Sequence, residues 1–69
     1  MPLTMAQIGE RNAIKRVGGK QETKKFLENL GFTVGSTVTI ISKLNGSVIV
    51  NIKDSRVAID QDMANKIMI

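Results

Sequence analysis

Beyond Thr37 the apolar residues of this chain recur at every second position, and that period most constrains how the chain can fold. β-branched residues dominate Thr37–Ile41, and in Ser47–Ile52 every second residue is again apolar and β-branched. Because successive side chains of a strand point to opposite faces, this pattern is typical of half-buried β-strands. Asn45-Gly46 lies between the two runs and predicts a hairpin with a type I′ turn, in which both central residues have positive φ. The return strand would bury Val48, Val50 and Ile52.

Further strands are predicted after the hairpin. Lys53-Asp54-Ser55 predicts a tight turn before a strand at Arg56–Ile59. Asp60 predicts the N-cap of one short helical turn, Gln61–Asn65, because an aspartate side chain can accept a hydrogen bond from a free amide of the first turn. The chain then closes with a strand at Lys66–Ile69. The residues expected to face inward here are Val57, Ile59, Met63 and Ala64.

The N-terminal part combines one strand with one helix. Asn12–Val17 predicts a strand that the following glycine pair ends. The period then changes to that of a helix over residues 21–30, and Gly31 is expected to end it in the left-handed conformation. Phe32 is expected to fold back onto the last helical turn. The residues predicted to form the buried stripe of the helix are Thr23, Phe26, Leu27 and Leu30.

The number of elements and the length together predict the architecture. A chain of 69 residues without Cys or His has neither disulfides nor thiolate or imidazole metal ligands to cross-link it. Apolar packing must hold it together, in a single domain over residues 1–69. Short strands around one helix fit a mainly β fold, a small SH3-like β-barrel with one amphipathic α-helix and a short helical turn. Closure of such a barrel removes exposed strand edges.

The charge of the chain is concentrated near its N-terminus. Residues 1–25 hold six basic and two acidic side chains, whereas the remaining residues hold four of each, so the whole net charge of +4 lies in the first third. The sequence contains no signal peptide and no apolar run long enough to span a bilayer. We therefore expect a cytoplasmic protein whose partner is acidic or anionic.

A candidate partner-binding surface follows from this asymmetry. The predicted helix exposes basic and amide side chains, and the preceding strand ends in further basic residues. If helix and strand lie side by side, these side chains form one patch; a solubilising face without a partner is the alternative that the sequence leaves open. The candidate residues are Lys20, Lys24, Lys25, Asn29 and Arg16, with Lys15 beside them.

The sequence lacks the usual ingredients of catalysis. Without Cys or His, the serines have no imidazole base to activate them, and no phosphate-binding glycine loop occurs. Asp60 and Asp62 could hold a hard cation, but a helix cap and its first-turn neighbour are the more economical interpretation. We expect no enzyme, no cofactor and no metal site.

Nucleic-acid binding is the main alternative for a small basic barrel. Single strands are held by stacking bases on exposed aromatic rings. The only aromatic residues are Phe26 and Phe32, and the helix stripe and the cap predict that both are buried. Phosphate attraction alone would remain. We therefore expect binding of a protein partner instead.

The order of these features resembles the FeoA family. The opening, from Pro2-Leu3-Thr4 through Gly9-Glu10 to Val17-Gly18-Gly19, is like the start of that domain. The block from Lys25 to Val38, with its Leu-Gly-Phe corner at Leu30-Gly31-Phe32, looks like its most specific part. The ending is also similar, in Arg56–Ile59, Ala64 and Lys66–Ile69. Two departures are Val34, where the family often has Pro, and Lys25-Phe26, where it often has Arg-Leu.

The resemblance implies an SH3-like barrel that accompanies FeoB, the membrane transporter with a cytoplasmic GTP-binding domain that imports ferrous iron. FeoA-like proteins are accessory proteins thought to bind that transporter and to influence its activity. The same domain occurs at the C-terminus of some metal-dependent repressors, so a stand-alone relative of that domain is a further alternative. No helix-turn-helix precedes the domain here, which favours the transport accessory.

Overall fold

The computed structural model describes all 69 residues. A single 3₁₀ turn at Leu3–Met5 precedes the regular elements. The strands are β1 (Arg11–Ala13), β2 (Arg16–Val17), β3 (Thr37–Leu44), β4 (Ser47–Ile52), β5 (Ser55–Asp60) and β6 (Ile67–Met68). The helices are α1 (Gln21–Leu30) and α2 (Gln61–Asn65).

The strands form two antiparallel sheets. One sheet has four strands in the order β1-β3-β4-β5, and the other pairs β2 with β6. The mainly β architecture with one longer and one short helix confirms the predicted fold class. No backbone ladder joins the two sheets, so β1 and β5 remain edge strands of the larger sheet.

The first predicted strand, Asn12–Val17, is divided between the two sheets. β1 pairs with β3 and β2 pairs with β6, and the chain changes sheet at Ile14 and Lys15. The amide of Ile14 donates to the carbonyl oxygen of Ser36 at 2.9 Å, whereas that of Lys15 donates to Met68 at 2.8 Å. The continuous strand was therefore a wrong prediction. The physical reason for the break in the strand is that the apolar Ile14 side chain turns into the core, where it is 1% exposed.

The two hairpin turns lie where they were predicted, but the first differs from the expected type. At Asn45-Gly46 only the glycine has positive φ, at 72°, so the predicted type I′ turn is wrong. The Gly46 carbonyl oxygen accepts a 2.9 Å hydrogen bond from the Gln61 amide, which attaches this turn to α2. Positive φ at two successive residues occurs instead at Lys53 and Asp54, with values of 49° and 63°.

The core consists of apolar residues alone. Fifteen residues are buried and none of them is polar or charged. β4 contributes Val48, Val50 and Ile52, as the alternation predicted. Of the other predicted inward residues, Ile59 and Ala64 are buried, while Val57 and Met63 are half-buried. The largest fully buried side chains are Phe32, Leu3, Ile14, Leu27, Ile40, Ile52 and Ile67.

Helix α1 has the predicted bounds but a different buried face. Leu27 is 0% exposed, whereas Phe26 is 49% exposed, so the prediction that Phe26 lies in the core is wrong. The reason lies in the helix cap. Gly31 has φ 109°, and the amide of Phe32 donates back to the Leu27 carbonyl oxygen at 2.9 Å, so that both apolar side chains enter the core together. Phe26, about 100° further round the helix from Leu27, is turned away.

Helix α2 begins as the sequence predicted. The Asp60 carboxylate accepts a hydrogen bond of 2.8 Å from the Met63 amide, which confirms its role as N-cap. None of the helices is both long enough and apolar enough to cross a membrane.

Candidate partner-binding surface

The five candidate residues lie on two elements and do not form one row. Lys25 and Asn29 are one turn apart on the exposed side of α1. Lys20 is the N-cap residue of the helix, and the Lys24 amide donates to its carbonyl oxygen at 2.9 Å. Lys24 is half-buried beside Leu27, which contradicts the prediction that it lies on the solvent-facing side.

Arg16 lies apart from the helix on β2. It is exposed and pairs with Met68 across the two-stranded sheet. The end of β2 is connected to the start of α1 along the chain, through Gly18-Gly19. The structure therefore brings Lys25 and Asn29 together, and leaves Arg16 on a separate element.

A further basic residue, which the sequence did not indicate, lies at the start of α1. The Gly18 amide donates to the Lys66 carbonyl oxygen at 2.7 Å. The stem of Lys66 lies directly over Gly19, since a Cβ placed there would be 2.8 Å from Lys66 Cδ and 3.5 Å from Thr23 Cβ. Lys66 is 46 residues from Lys20 in sequence, so only the pairing of the second sheet reveals this proximity.

Phe26 changes the character of the helix surface. It is 49% exposed, Lys25 precedes it about 100° round the helix, and Asn29 is one turn further on. An exposed aromatic ring with a polar rim is typical of protein interfaces, because the ring supplies a large apolar area at a small entropic cost. We call the exposed side chains of Lys20, Lys25, Phe26 and Asn29 the α1 surface. The sequence signal that could have identified it is the Gly31-Phe32 cap, which turns Leu27 inward.

Other exposed apolar side chains are distributed over the N-terminal segment and β3. Ile41 is 36% exposed at the irregularity in the β3–β4 ladder, and Met68 is half-buried. Lys43 on β3 reaches the N-terminal segment, where its ammonium donates to the carbonyl oxygens of Thr4 and Ala6 at 3.1 and 3.3 Å. The remaining exposed apolar residues are Met1, Met5, Ile8, Val34 and Leu44.

The acidic residues do not gather into a metal centre. The structure contains no group of three or more His, Cys, Asp or Glu side chains that could hold a metal ion. The carboxylate of Asp60, half of the one close acidic pair, is already used in the helix cap.

The fold and this surface define a small SH3-like domain. The chain belongs to the FeoA family, since the FeoA domain profile matches residues 1–69. A protein of Methanocaldococcus jannaschii, named as a candidate Fe(2+) transport protein A, is 34% identical over 68 residues, which span 99% of this chain and 83% of that protein.

Solved structures confirm the SH3-like fold. The zinc complex of Stenotrophomonas maltophilia FeoA, described as a prokaryotic SH3 domain protein, superposes with a TM-score of 0.85 at 19% identity, over 99% of this chain and 87% of that one. A manganese-dependent transcriptional repressor superposes with a TM-score of 0.88 at 16% identity, over 97% of this chain but only 39% of the repressor. The resemblance to the FeoA family and its fold is confirmed.

Proposed function

We propose that this protein is a non-enzymatic accessory of ferrous iron uptake that binds and modulates a FeoB-type membrane transporter from the cytoplasm. Membership of the FeoA family supports the link to ferrous iron transport. The name of the M. jannaschii relative points to the same process. The description of the S. maltophilia relative suggests that it acts as a ferrous iron transport activating factor.

The observation that carries the proposal is the half-exposed side chain of Phe26 on α1, the helix on which Lys25 is also exposed. Burying this ring against a partner removes apolar area from water, while the surrounding basic side chains meet acidic groups. The net charge of +4 increases the rate of encounter with an acidic protein surface or with the anionic inner leaflet. Both contributions suit a partner that lies at the membrane.

The test is direct binding to the purified cytoplasmic GTP-binding domain of a FeoB-type transporter, measured by calorimetry at low and high salt. Phe26→Ala should weaken binding at both salt concentrations, because it removes apolar contact area. Lys20→Gln with Lys25→Gln should weaken binding at low salt and reduce the salt dependence. Lys24 is left unchanged because it is half-buried.

A matched control has the same change of charge on a different surface. Arg11→Gln with Arg56→Gln removes two positive charges from the four-stranded sheet, at residues that are exposed on β1 and β5. This pair should bind like the wild type. Wild-type affinity of both α1-surface variants at both salt concentrations would reject the α1 surface, and Ile41 would become the next candidate.

Nucleic-acid binding is the second candidate, and the structure strengthens it. The sequence predicts that both aromatic rings are buried, but Phe26 is exposed. One exposed ring beside a lysine can stack a single base, whereas proteins that hold single strands present several rings. Fluorescence anisotropy with a labelled oligonucleotide decides between the candidates. Tight, salt-dependent binding that Phe26→Ala abolishes would favour nucleic acid.

A relative of the repressor domain is the third candidate. The likeness to the manganese-dependent repressor supports it, although this chain spans 39% of that protein. Pull-down from cell extract separates these functions, since a membrane GTPase, a nucleic acid or a DNA-binding protein would accompany the chain.

A further inference from the structure

The solvent-facing side of the four-stranded sheet holds a polar cleft that none of the candidate partner-binding residues lines. Its volume is about 340 Å³ and no apolar residue lines it. Its floor consists of short polar side chains, Thr37 and Thr39 from β3 and Asn51 from β4.

The strand register explains why these side chains meet. Thr39 pairs with Arg11 on one side and with Asn51 on the other, so the three side chains form a row across β1, β3 and β4. Asn51 in turn pairs with Arg56 on β5, which extends the row by another basic residue. At the β1 end of this row the long side chain of Arg11 flanks the short one of Thr39, and both line the cleft, whereas Arg56 does not.

The ends of the cleft come from two connections. Lys53 and Asp54 belong to the β4–β5 turn, and Ser36 precedes β3. The stem of Lys53 lies near Gly31, since a Cβ built there would be 3.5 Å from Lys53 Cδ. The Ser36 hydroxyl shares a hydrogen bond of 2.7 Å with that of Thr33. The Lys53 stem thereby lies against the residue that caps α1, and Ser36 is held within the α1–β3 connection.

The residues of the β4–β5 turn are not those that would make it most stable. Both central residues, Lys53 and Asp54, have positive φ, where glycine or asparagine is much less strained. Charged side chains at these two positions therefore accompany some backbone strain. The same turn places an ammonium at the cleft.

We propose that this cleft binds the phosphate group of a small phosphate-bearing ligand. The cleft has no apolar wall that an apolar ligand could contact. A metal cation would be repelled by Arg11 and Lys53 and attracted by only one carboxylate, that of Asp54. A phosphate accepts hydrogen bonds at every oxygen, and the cleft offers guanidinium, ammonium, hydroxyl and amide donors. Asp54 opposes the anion, so the carboxylate limits affinity.

The experiment is an NMR titration of the isotopically labelled protein with inorganic phosphate, in which the amide resonances are monitored. A titration with sodium chloride at equal ionic strength is the reference. Phosphate should shift the amides of Thr37, Thr39 and Asn51 with a saturable curve. Arg11→Gln and Lys53→Gln should each weaken binding about tenfold, the effect of losing one hydrogen bond between charged groups. Asp54→Asn should tighten binding.

One control variant and two further ligands test whether the cleft itself binds phosphate. Arg16→Gln has the same change of charge in the other sheet and should bind phosphate like the wild type. If glycerol 3-phosphate shifts the same amide resonances, the ligand is a soluble phosphate compound. If phosphatidic acid vesicles shift them and glycerol 3-phosphate does not, the ligand is a lipid headgroup. Equal shifts with chloride, or equal weakening by Arg16→Gln and Arg11→Gln, would overturn the proposal.

Discussion

The amide of Phe32 donates a 2.9 Å hydrogen bond to the carbonyl oxygen of Leu27, and both side chains are 0% exposed. The Gly31 amide donates to Glu28 at 2.9 Å, which completes a Schellman motif. This pair of bonds ends α1, and Leu27 and Phe32 lie at the two positions where such a cap makes its apolar contact. Phe26 lies on another side of the helix, stays exposed and contributes to the α1 surface.

Leu27 should be the residue that attaches α1 to the core. Leu27→Ala is expected to lower the free energy of unfolding by about 2–5 kcal/mol, because it leaves a cavity in a fully packed site. Phe26→Ala should cost about 1 kcal/mol, since half of its ring is already in water. Urea denaturation midpoints measure both. The half-buried Leu30, which the sequence suggested as an anchor, should give an intermediate loss; a Phe26→Ala loss as large as that of Leu27→Ala would contradict this assignment.

Gly31 should tolerate no side chain with a branched Cβ. Its φ of 109° is costly for every L-residue, although a Cβ would meet Ile52 and Lys53 only at ordinary contact distances of 3.5–3.6 Å. Gly31→Ala should cost about 1–2 kcal/mol from backbone strain, and Gly31→Val more. Thermal unfolding tests this, with Gly18→Ala as control because Gly18 has no positive φ. Equal losses at both glycines would show that strain is not the cause.

The cap of α2 should have a measurable effect on stability. Asp60→Ala removes the acceptor of the Met63 amide and is expected to cost about 1 kcal/mol. Asp62→Ala, in the first turn of the same helix, should cost only a few tenths of a kcal/mol. Chemical denaturation separates the two variants, and an equal effect would mean that charge, not the cap bond, stabilises the helix.

Metal affinity should be weak. The chain has no Cys or His, and its acidic side chains form no cluster of three. Anaerobic calorimetric titration with Fe²⁺ or Zn²⁺ should therefore give no site tighter than roughly micromolar. A stoichiometric high-affinity isotherm that Asp60→Ala or Asp62→Ala abolishes would disprove this expectation. The zinc complex of the S. maltophilia relative makes zinc the informative ion to test first.

Local signals predicted most elements because their causes are local. The bounds of α1, the left-handed Gly31 and the Asp60 cap each depend on residues within about one helical turn, so a short sequence window contains the whole cause. The alternation in β4 was equally reliable, since one face of a strand is buried as a unit. The same local features carry the resemblance to the FeoA family.

The tertiary structure decided which faces meet and which remain exposed. A period of 3.6 residues places Phe26 about 100° from Leu27 on one side of the helix and Lys24 about 60° from it on the other, so the period alone does not say which of the two lies against the core. The change of sheet at Ile14 and Lys15 depends on distant partners, Ser36 for the Ile14 amide and Met68 for the Lys15 amide. The polar cleft and the approach of Lys66 to Gly19 arise from strand pairing between segments far apart in sequence. Such surfaces exist only once the register is formed, and register is a property of the whole packed chain.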